Sequence, residues 1–541
     1  MTERRSEKPA VDYSVYLVTG RDLLPPGKGY LESLREAIDG GVTLVQVREK
    51  TAETSEFLEI AQQTVELCRS RKVPVLIDDR IDIALASRAD GVHLGQTDMP
   101  VAMARSLLPP NAIIGMTCTT SEHVRQAILD KVDYVGLGAV YGTATKDVSA
   151  PGKIRGVKGV REMLGVLEGT GVKSVAIGGI KSTNLLRVLH GSVTPTGHAL
   201  DGVAVVSDIV ASSNPRASAE RLALIFRSWA AIPRGPKSFS VDVPDVYLPA
   251  NIVNAAADLV ARVRHVKPLV HQLTNNVVKT QSANATIALG GSPIMAAAAQ
   301  EQGDLARIPG GMLINFGTVE EMDGMLAAGF NANLNRKPVI FDPVGIGATT
   351  YRQSCAEQLL SKWQPTVIKG NAAEIGALIQ SEEVKSQGVD SLGSGFKNPE
   401  AVVRSLAQKE RCIVVLSGPI DYISDGSTVI RLLNGHPLLG QITGAGCMLG
   451  TAVATFCGTQ SVLAERQNLG AAADGVLARG DMLTAAAAGV LALTIASEKA
   501  AQRGDVHGPG TFLPALIDSL ADLTPETVQK MAKVEVDVEN K

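Results

Sequence analysis

The chain has 541 residues, which is too long for one hydrophobic core and suggests two large domains. A hydrophobic content of 45% and a formal net charge of −3 exclude a disordered or coiled-coil protein. Lysine and arginine are spread along both halves without a basic stripe, which argues against a nucleic-acid binder.

The cysteines and the apolar segments indicate the compartment. The six cysteines include no Cys-x-x-Cys pair and are too sparse for a disulfide framework, which favours a reducing environment. Residues 1–10 are charged and no apolar segment follows them, so we expect a disordered tail rather than a secretory signal or membrane anchor. The longest apolar stretch, residues 483–497, is too short and too rich in Ala, Thr and Gly to span a bilayer. We expect a buried helix there, and no membrane partner.

The first half alternates short β-rich runs with segments able to form helices. The runs are residues 15–19, 44–48, 75–78, 91–94, 113–117, 134–138, 174–178 and 202–207. This succession predicts a (β/α)₈ TIM barrel over residues 11–231, although an open doubly wound sheet remains an alternative.

Charged side chains follow three neighbouring strands of this predicted barrel. Arg48 and Lys50 end the second strand, and Asp79 and Asp98 follow its neighbours. Because barrel enzymes place their chemistry at the carboxyl ends of the strands, these cations and carboxylates would meet in one mouth. Carboxylates hold Mg²⁺, and fixed cations neutralise the remaining charge of a diphosphate. Taken singly, Arg48 and Lys50 are equally typical of a solvated surface, and residues 78–79 of a helix cap.

The second half restarts the pattern after a predicted break between domains. Residues 232–247 carry three prolines and no periodicity, so we expect a linker. A predicted helix at residues 254–263 follows, with β-rich runs at 269–273, 312–316, 339–342, 366–369 and 413–417. This predicts a three-layer α/β/α sandwich over residues 248–541.

A glycine-rich turn, Thr443-Gly-Ala-Gly-Cys447, precedes a predicted helix at residues 448–456. The glycine amides would point at an anion along the helix axis, which is typical of an anion hole for a transferring phosphoryl group. Read alone, the same motif is more typical of a tight turn with a buried structural cysteine.

Five ordered motifs of the first half resemble thiamine phosphate synthase. They are Gln46-Val-Arg-Glu-Lys50, residues 89–98, the loop Tyr141-Gly-Thr-Ala-Thr-Lys146, the glycine turn at 176–180 and the last strand at 202–207. Enzymes of that family join an aminopyrimidine methyl diphosphate to a hydroxyethylthiazole phosphate and release pyrophosphate.

The resemblance implies a role for each motif residue. Asp79 and Asp98 would ligate Mg²⁺. The catalytic cations at the diphosphate would be Arg48, Lys50 and Lys146. The pyrimidine side would be lined by Gln46, Asp78 and Thr117. The thiazole phosphate would be held by Thr143, Thr145, Gly179, Val206 and Ser207, the last three in the turns after strands seven and eight. Val47, Glu49 and Ala144 would be further substrate contacts.

Two positions depart from the pattern of that family. Asp78 stands where the family usually has Asn, and Thr117 where it usually has Ser. Asp78 still accepts a hydrogen bond but adds negative charge beside the predicted metal site. His93 lies inside a strand, and we expect a hydrogen-bonded core histidine there rather than a ligand.

A second set of ordered motifs, from Pro268 to about Cys457 and on towards the last helices, resembles hydroxyethylthiazole kinase of the ribokinase-like superfamily. The motifs are His271-Gln-Leu-Thr-Asn-Asn276, residues 288–295, 341–348 and 368–374, Asn434-Gly-His-Pro437 and the glycine-rich turn. The fold implied for this half is a ribokinase-like three-layer sandwich.

This second resemblance also implies site residues. Asp342 and Glu374 would lie on the Mg²⁺ side. The ATP contacts would be Lys369, Ser417 and Gly446, and the thiazole contacts Asn275, Met295, Gly444 and Ala445. Cys447 stands where the wider superfamily has the Asp that takes the alcohol proton, so it is the base candidate, although a reference pKa of about 8.5 makes it a weak base. Lys369 replaces a usual Arg, which keeps the charge but loses the bidentate fork.

Together the two resemblances imply a bifunctional thiamine biosynthesis enzyme, in the order of the fused enzyme known from fungi. The kinase half would use ATP to phosphorylate 5-(2-hydroxyethyl)-4-methylthiazole. The synthase half would couple that phosphate to 4-amino-2-methyl-5-(diphosphooxymethyl)pyrimidine, giving thiamine phosphate. A cytoplasmic location and a homo-oligomer through the kinase domain, a trimer or hexamer, are also implied. The alternative is that only the kinase half is active and the barrel is a scaffold or a thiamine-related binding module.

Overall fold

The computed structural model describes residues 10–143, 150, 152–232, 247–387, 390–392, 395–467 and 475–538. The chain divides into two compact units, Met1–Arg234 and Gly235–Lys541. The predicted tail and the predicted linker lie largely outside the described residues, so their boundaries stay predictions.

The N-terminal unit is a closed barrel of eight parallel strands. In chain order its elements are β1 Val15–Val18, the 3₁₀ helix Arg21–Leu23, α1 Tyr30–Asp39, β2 Leu44–Val47, α2 Thr54–Ser70, β3 Val75–Asp78, α3 Ile81–Ser87, β4 Gly91–Leu94, α4 Val101–Leu107, β5 Ile113–Cys118, α5 Ser121–Leu129, β6 Tyr134–Gly138, α6 Gly156–Val166, β7 Lys173–Ile177, α7 Leu185–Gly191, β8 Gly202–Val205, α8 Ser207–Val210 and α9 Pro215–Ala230. β8 pairs with β1 and closes the ring. This confirms the barrel and excludes the open sheet.

The barrel interior combines apolar and aromatic side chains. Its buried cluster includes Tyr16 of β1, Leu44 of β2, Leu76 of β3 and Tyr134 of β6. Gly115 of β5 makes room for the Tyr134 ring, because a Cβ at position 115 would lie 2.1 Å from that ring. Successive strand residues point to opposite faces, so the next residue on each strand packs outwards.

The C-terminal unit is a nine-stranded mixed sheet with helices on both faces. In chain order its elements are α10 Pro249–Val266, β9 Leu269–Leu273, α11 Lys279–Leu289, β10 Ser292–Ile294, the 3₁₀ helix Ala299–Glu301, α12 Gln302–Arg307, β11 Gly310–Asn315, α13 Met322–Leu334, β12 Val339–Asp342, the 3₁₀ helix Ile346–Ala348, α14 Thr350–Lys362, β13 Val367–Asn371, α15 Ala372–Ile379, β14 Lys385–Gln387, β15 Asp390–Leu392, α16 Pro399–Glu410, β16 Ile413–Ser417, β17 Asp421–Ser424, β18 Thr428–Leu432, the 3₁₀ helix Pro437–Gln441, α17 Ala445–Arg466, α18 Met482–Ala501, α19 Pro509–Ala521, α20 Pro525–Met531 and β19 Val534–Val538. β14 and β15 form a separate pair.

The strand order of this sheet is β10-β9-β11-β12-β13-β16-β17-β18-β19. The neighbours from β10 to β16 are parallel, and those from β16 to β19 are antiparallel. The sequence predicted most of the parallel part, but not the short strand β10 or the antiparallel strands.

Two hydrophobic cores lie on opposite faces of this sheet, and β11 shows why. Leu313 packs in one core with residues of α10, α17 and α18. Its neighbours Met312 and Ile314 pack in the other core, with residues of α13, α14 and α16. Strand residues alternate between faces, so both faces of a buried strand must be apolar. The predicted three-layer ribokinase-like sandwich is confirmed.

Two helices of this unit, Ala445–Arg466 and Met482–Ala501, are long and apolar enough to cross a membrane by length and composition alone. In each, 89% of the most apolar window is buried inside the fold. The second helix extends beyond residues 483–497, the apolar stretch from which we predicted a buried helix. Its burial against α10, α17 and α19 accounts for its composition.

Candidate active sites

Cations and carboxylates meet where β2 and β3 end in the N-terminal unit. Gln46 of β2 pairs with Leu76 of β3, so two residues further on Arg48 comes level with Asp78. Lys50 Nζ lies 2.8 Å from Asp78 Oδ2 and also pairs with the carboxylate of Asp79. Arg48 Nε lies 3.7 Å from the same Asp78 oxygen. The structure therefore gathers these predicted residues at one end of the barrel.

Asp79 and Asp98 lie close enough for their carboxyl groups to share a hydrogen bond. Asp98 Oδ2 also accepts the backbone N–H of Gly95 at 2.6 Å. Burial raises the pKa of Asp98, and the bond with Asp79 raises it further. Burial opposes ionisation of Asp79, but the bonds to Lys50 and Asp98 hold its pKa below the ordinary value. Two acidic side chains, one of them firmly ionised, thus face each other at the mouth.

A chain of hydrogen-bonded side chains crosses the barrel interior beneath this mouth. Gln46 Nε2 donates to the Tyr16 hydroxyl, which lies 2.8 Å from the Tyr134 hydroxyl. His93 Nδ1 lies 2.7 Å from the Tyr134 hydroxyl, and His93 Nε2 lies 2.8 Å from Thr117 Oγ1. His93 is buried with both ring nitrogens bonded, so the prediction of a core histidine is confirmed. The network fixes Gln46 and Thr117, two of the predicted pyrimidine contacts.

The predicted phosphate-binding turns follow β7 and β8. Gly179 has a φ of +64°, and a Cβ there would lie 2.5 Å from the carbonyl oxygen of Gly142. Val206 caps the short helix that Ser207 begins. Thr143 is half-buried and follows Gly142. Glycine at 179 therefore lets the turn after β7 contact the loop that carries Thr143.

Five predicted contacts are not brought to the mouth or lie outside the described residues. Ala144, Thr145 and Lys146 fall outside the described part of the chain. The Val47 side chain is fully buried on the face of β2 opposite Gln46. The Glu49 carboxylate accepts hydrogen bonds from Arg21 Nε at 2.8 Å and Nη2 at 3.0 Å. The side chains of Val47 and Glu49 therefore support the strand end rather than the mouth.

In the C-terminal unit, Cys447 lies in the first turn of α17, which follows the left-handed Gly444 with its φ of +82°. Its sulfur accepts hydrogen bonds from Asn275 Nδ2 at 3.4 Å and from Asn315 Nδ2 at 3.3 Å. Burial raises the pKa of the Cys447 thiol to about 11, and the nearby Asp342 carboxylate adds to the rise. The thiol is therefore protonated at neutral pH, despite its place near a helix N-terminus.

Asp342 and Lys369 form a buried ion pair beside this thiol. Lys369 Nζ lies 3.1 Å from Asp342 Oδ1, and both side chains are at most 3% exposed. Burial raises the pKa of Asp342, and Lys369 partly offsets that rise. Burial opposes the charged form of Lys369, but Asp342 and Glu374 together raise its pKa above the ordinary value. Both carboxylates therefore act on one ammonium group.

Glu374 is held at the first turn of α15. It accepts the backbone N–H of Asn371 at 2.8 Å and that of Gly345 at 3.3 Å, and Asn371 in turn caps the helix. Burial raises the pKa of this carboxyl group. The capping box fixes Glu374 next to the loop that follows β12.

A cavity of about 520 Å³ lies against the glycine-rich turn. Its lining includes the predicted residues Ser417, Ala445 and Gly446. The motif from Asn434 to Pro437 forms another part of the wall. A Cβ at position 446 would lie 3.3 Å from Lys369 Nζ, so Lys369 reaches the same turn. The predicted ATP contacts are thus brought together.

Met295 lines a separate, smaller cleft with Thr274 and Asn276. Asn275 lies between those two residues in the chain and donates to the Cys447 sulfur. Cys447 follows the turn that lines the larger cavity. Asn275 therefore links the thiol to the segment that lines the smaller cleft, whereas Ala445, another predicted thiazole contact, lines the larger cavity with the predicted ATP contacts.

Comparisons with known proteins cover both units. A model described as thiamine monophosphate synthase matches residues 15–209, and the hydroxyethylthiazole kinase family model matches residues 260–526. A probable thiamine biosynthetic bifunctional enzyme from Schizosaccharomyces pombe is 38% identical over 527 residues, which cover 96% of this chain and 97% of that protein. The chain belongs to the thiamine biosynthetic bifunctional enzymes.

Two further relatives extend the comparison. The thiamine biosynthetic bifunctional enzyme of Saccharomyces cerevisiae is 34% identical over 96% of this chain and 97% of its own. Hydroxyethylthiazole kinase 1 of Oceanobacillus iheyensis is 38% identical to this chain, over 50% of this chain and 98% of its own. The N-terminal half of the bifunctional enzyme is accordingly a thiamine phosphate synthase, and the C-terminal half a hydroxyethylthiazole kinase that uses ATP as co-substrate.

Three polar residues of the bifunctional enzyme's sites were missed by sequence reasoning. Tyr16 and Tyr134 sit in apolar strands, where nothing in the local pattern separates a hydrogen-bonded tyrosine from a packed one. Asn315 ends β11 and contacts Asp342, Cys447 and Asn275. A polar residue at the carboxyl end of a buried parallel strand is a signal that would have found Asn315.

The acidic pairs of the bifunctional enzyme fit a metal that arrives with its substrate. Among the residues that the structure describes, no group of three or more His, Cys, Asp or Glu side chains is arranged to hold a metal ion. Mg²⁺ is commonly bound by one or two carboxylates together with substrate phosphates. Asp79 with Asp98, and Asp342 with Glu374, each supply two carboxylates beside a lysine.

Proposed function

We propose that each half stabilises phosphate charge with a cation–carboxylate cluster at the carboxyl ends of its parallel strands. One observation supports this for both halves: a lysine is paired with an aspartate at that edge, Lys50 with Asp78 and Asp79, and Lys369 with Asp342. The proposed domains are the synthase at 11–231 and the kinase at 248–541, joined by the linker 232–247.

In the synthase half, Arg48 and Lys50 bind the diphosphate of the pyrimidine substrate, together with Lys146 of the motif that begins at Tyr141. Negative charge grows on the leaving oxygen as pyrophosphate departs, so cations fixed at that place stabilise the transition state more than the substrate. The thiazole nitrogen attacks with its own lone pair and needs no general base. Gln46 and Thr117, held by the buried network, orient the pyrimidine ring, and the turns at Gly179 and 206–207 hold the thiazole phosphate.

We propose Mg²⁺ as the metal of both halves, held by Asp79 and Asp98 in the synthase and by Asp342 and Glu374 in the kinase. When bound, the ion supplies positive charge against the phosphate oxygens that the side chains of the protein do not neutralise. The pKa of Asp79 lies below its ordinary value, so the carboxylate stays ionised, which suits it to bind a cation.

In the kinase half, ATP binds in the cavity of about 520 Å³ with its phosphates at Ser417, Gly446 and Lys369. The amides of the glycine-rich turn and the ammonium of Lys369 stabilise the transferring group. Asn275 and Met295 hold the thiazole, with Gly444 and Ala445 at its alcohol.

Cys447 faces the alcohol as the base candidate, but it begins the reaction as a protonated thiol because burial raises its pKa to about 11. Loose phosphoryl transfer asks little of a base. We therefore propose that Cys447 contributes mainly as a hydrogen-bonding partner of the alcohol, with a small effect on turnover.

We further propose that the enzyme is a cytoplasmic homo-oligomer, a trimer or hexamer through the kinase domain. The free state of all six cysteines supports a reducing compartment. The resemblance of the kinase half supports the oligomer.

The testing experiment mixes the purified protein with the thiazole alcohol, MgATP and the pyrimidine diphosphate, and follows thiamine phosphate. We expect product only when ATP is present, and we expect thiazole phosphate to remove the ATP requirement. Thiazole phosphorylation without any coupling, even when thiazole phosphate is supplied, would contradict the proposal for the synthase half.

A further inference from the structure

Asn315 lies at the centre of the kinase site, fully buried at the end of β11. Its Oδ1 accepts hydrogen bonds from Asn275 Nδ2 at 2.9 Å and from the backbone N–H of Gly317 at 3.0 Å. Its Nδ2 donates to Asp342 Oδ2 at 2.8 Å and to Cys447 Sγ at 3.3 Å. One amide group therefore touches three residues to which the proposed mechanism gives a role.

The orientation of this amide follows from its partners. The Gly317 N–H can only donate, so it must face Oδ1, and an ionised Asp342 can only accept, so it must face Nδ2. An Asn amide offers two N–H donors and two acceptor lone pairs, and here all four are used. Asn315 consequently has no hydrogen-bonding capacity left for a substrate.

The backbone register explains how these partners come together. Asn315 of β11 pairs with Asp342 of β12 in parallel register, so both end their strands at the same edge of the sheet. Arg352 holds the loops that follow both strands, because its guanidinium donates to the carbonyl oxygens of Phe316, Gly317 and Val344. The amide thus sits on a rigid edge rather than on a mobile loop.

We propose that Asn315 is a positioning residue of the kinase, which fixes Asp342, Cys447 and Asn275 relative to one another. This inference rests on the roles proposed above for those three residues. The two ends of the amide have separate effects: the donor end sets the geometry of phosphoryl transfer, and the acceptor end sets the geometry of thiazole binding through Asn275.

The experiment compares Asn315→Asp with Asn315→Leu in the full-length enzyme, with the kinase reaction followed directly. Asn315→Asp keeps an acceptor oxygen towards Asn275 and Gly317, but its ionised carboxylate has no donor for Asp342 and Cys447 and places a like charge against Asp342. We expect its kcat to fall by about 10- to 100-fold, the usual cost of removing an outer partner of a catalytic group, with little change in KM for the thiazole. Asn315→Leu loses both ends, so we expect a similar fall in kcat together with a rise in KM for the thiazole.

Asn333→Leu is the matched control. Asn333 is also buried in this half, where its side chain bonds both the N–H and the C=O of Gln364, at 2.7 and 2.9 Å. It lies on α13, and its hydrogen bonds within the described part of the chain go to Gln364 and Arg336, which have no role in the proposed site. We expect this variant to unfold at a lower temperature with unchanged kcat and KM.

The outcomes separate the inference from the proposed function. An Asn315→Asp enzyme with kcat within about twofold of the parent, or a control that loses as much kcat as the Asn315 variants, would overturn the positioning role. Asp342→Asn is measured in parallel: if it too keeps full turnover, the proposed site itself fails. If Asn315→Leu does not fold, the shape-conserving Asn315→Asp decides the question alone.

Discussion

The two halves place a lysine–aspartate pair at the same edge of their sheets, but they bury it to different depths. In the synthase half the Lys50 side chain is 46% exposed, and its partners Asp79 and Asp78 are 29% and 9% exposed. In the kinase half Lys369 and Asp342 are 3% and 0% exposed. An exposed pair is screened and contributes little to stability, whereas a buried pair that loses one member leaves an uncompensated charge. The synthase pair is therefore free to exchange partners with a diphosphate, while the kinase pair is also part of the core.

Removal of the buried cation gives the largest expected effect. We expect Lys369→Met to abolish thiazole phosphorylation and to destabilise the kinase half by about 3–5 kcal/mol, because Asp342 is left buried without its cation. Thermal unfolding with the kinase assay measures both effects. Coupling of supplied thiazole phosphate serves as the control and should persist. A variant with parental stability would show that the pair is not structural.

Removal of the exposed cation should affect catalysis alone. We expect Lys50→Ala to lower the rate of coupling by about 10²- to 10³-fold, as for the loss of one preorganised charge-stabilising group. Its unfolding free energy should change by less than about 1 kcal/mol, because Lys50 itself is solvent-screened and Arg48 remains 3.7 Å from the buried carboxylate of Asp78. Chemical denaturation and steady-state kinetics check the two statements. A large loss of stability would remove the contrast between the halves.

Asp78 is the carboxylate that stands at the synthase mouth where related synthases usually have Asn. Asp78 shares Lys50 and Arg48, so it competes with a phosphate group for the same cations. We expect Asp78→Asn to bind the product pyrophosphate about tenfold more tightly, because the substitution removes a carboxylate charge that repels the phosphate groups. A tenfold change in affinity corresponds to about 1.4 kcal/mol. Product inhibition by pyrophosphate measures this. Unchanged or weaker inhibition would mean that Asp78 does not face the diphosphate.

The smallest effect is expected at the buried thiol. The pKa of Cys447 is raised to about 11, so thiolate forms only as the pH rises towards that value and is negligible below pH 9. We expect Cys447→Ala to lower kinase kcat by less than about tenfold, below the range of a general base. The pH–rate profile between pH 6 and 9 should keep its shape. A fall in kcat of more than about 100-fold would assign the thiol a base role. So would an inflection in the parent's pH–rate profile that the variant lacks.

Much of the barrel and the position of its charged residues could be predicted from sequence. The β-rich runs coincide with β1 to β8 within a few residues, because each apolar run is bounded by polar or glycine residues. Arg48, Lys50 and Asp79 follow from the rule that chemistry gathers at strand ends. Val47 was expected as a contact only because it belongs to the matched motif, and alternation along β2 places its side chain on the face opposite Gln46.

Other features depend on packing that a single sequence does not reveal. Asn315 has partners 27, 40 and 132 residues away in the chain, and the parallel register of β11 and β12 brings the first of them, Asp342, beside it. The raised pKa of Cys447 results mainly from burial, whereas a place near a helix N-terminus by itself lowers the pKa of a thiol. The antiparallel strands β17 to β19 include Asp421 and Glu535, and such short, partly polar runs do not stand out from loops.

The most direct test of two self-contained phosphate sites is to mix the single-site variants Lys50→Ala and Lys369→Met. Each is given the thiazole alcohol, MgATP and the pyrimidine diphosphate, first alone and then together. We expect little thiamine phosphate from either variant alone and clear formation from the mixture, because the Lys50→Ala protein makes the thiazole phosphate that the Lys369→Met protein couples. A mixture no more active than its better component would contradict the account.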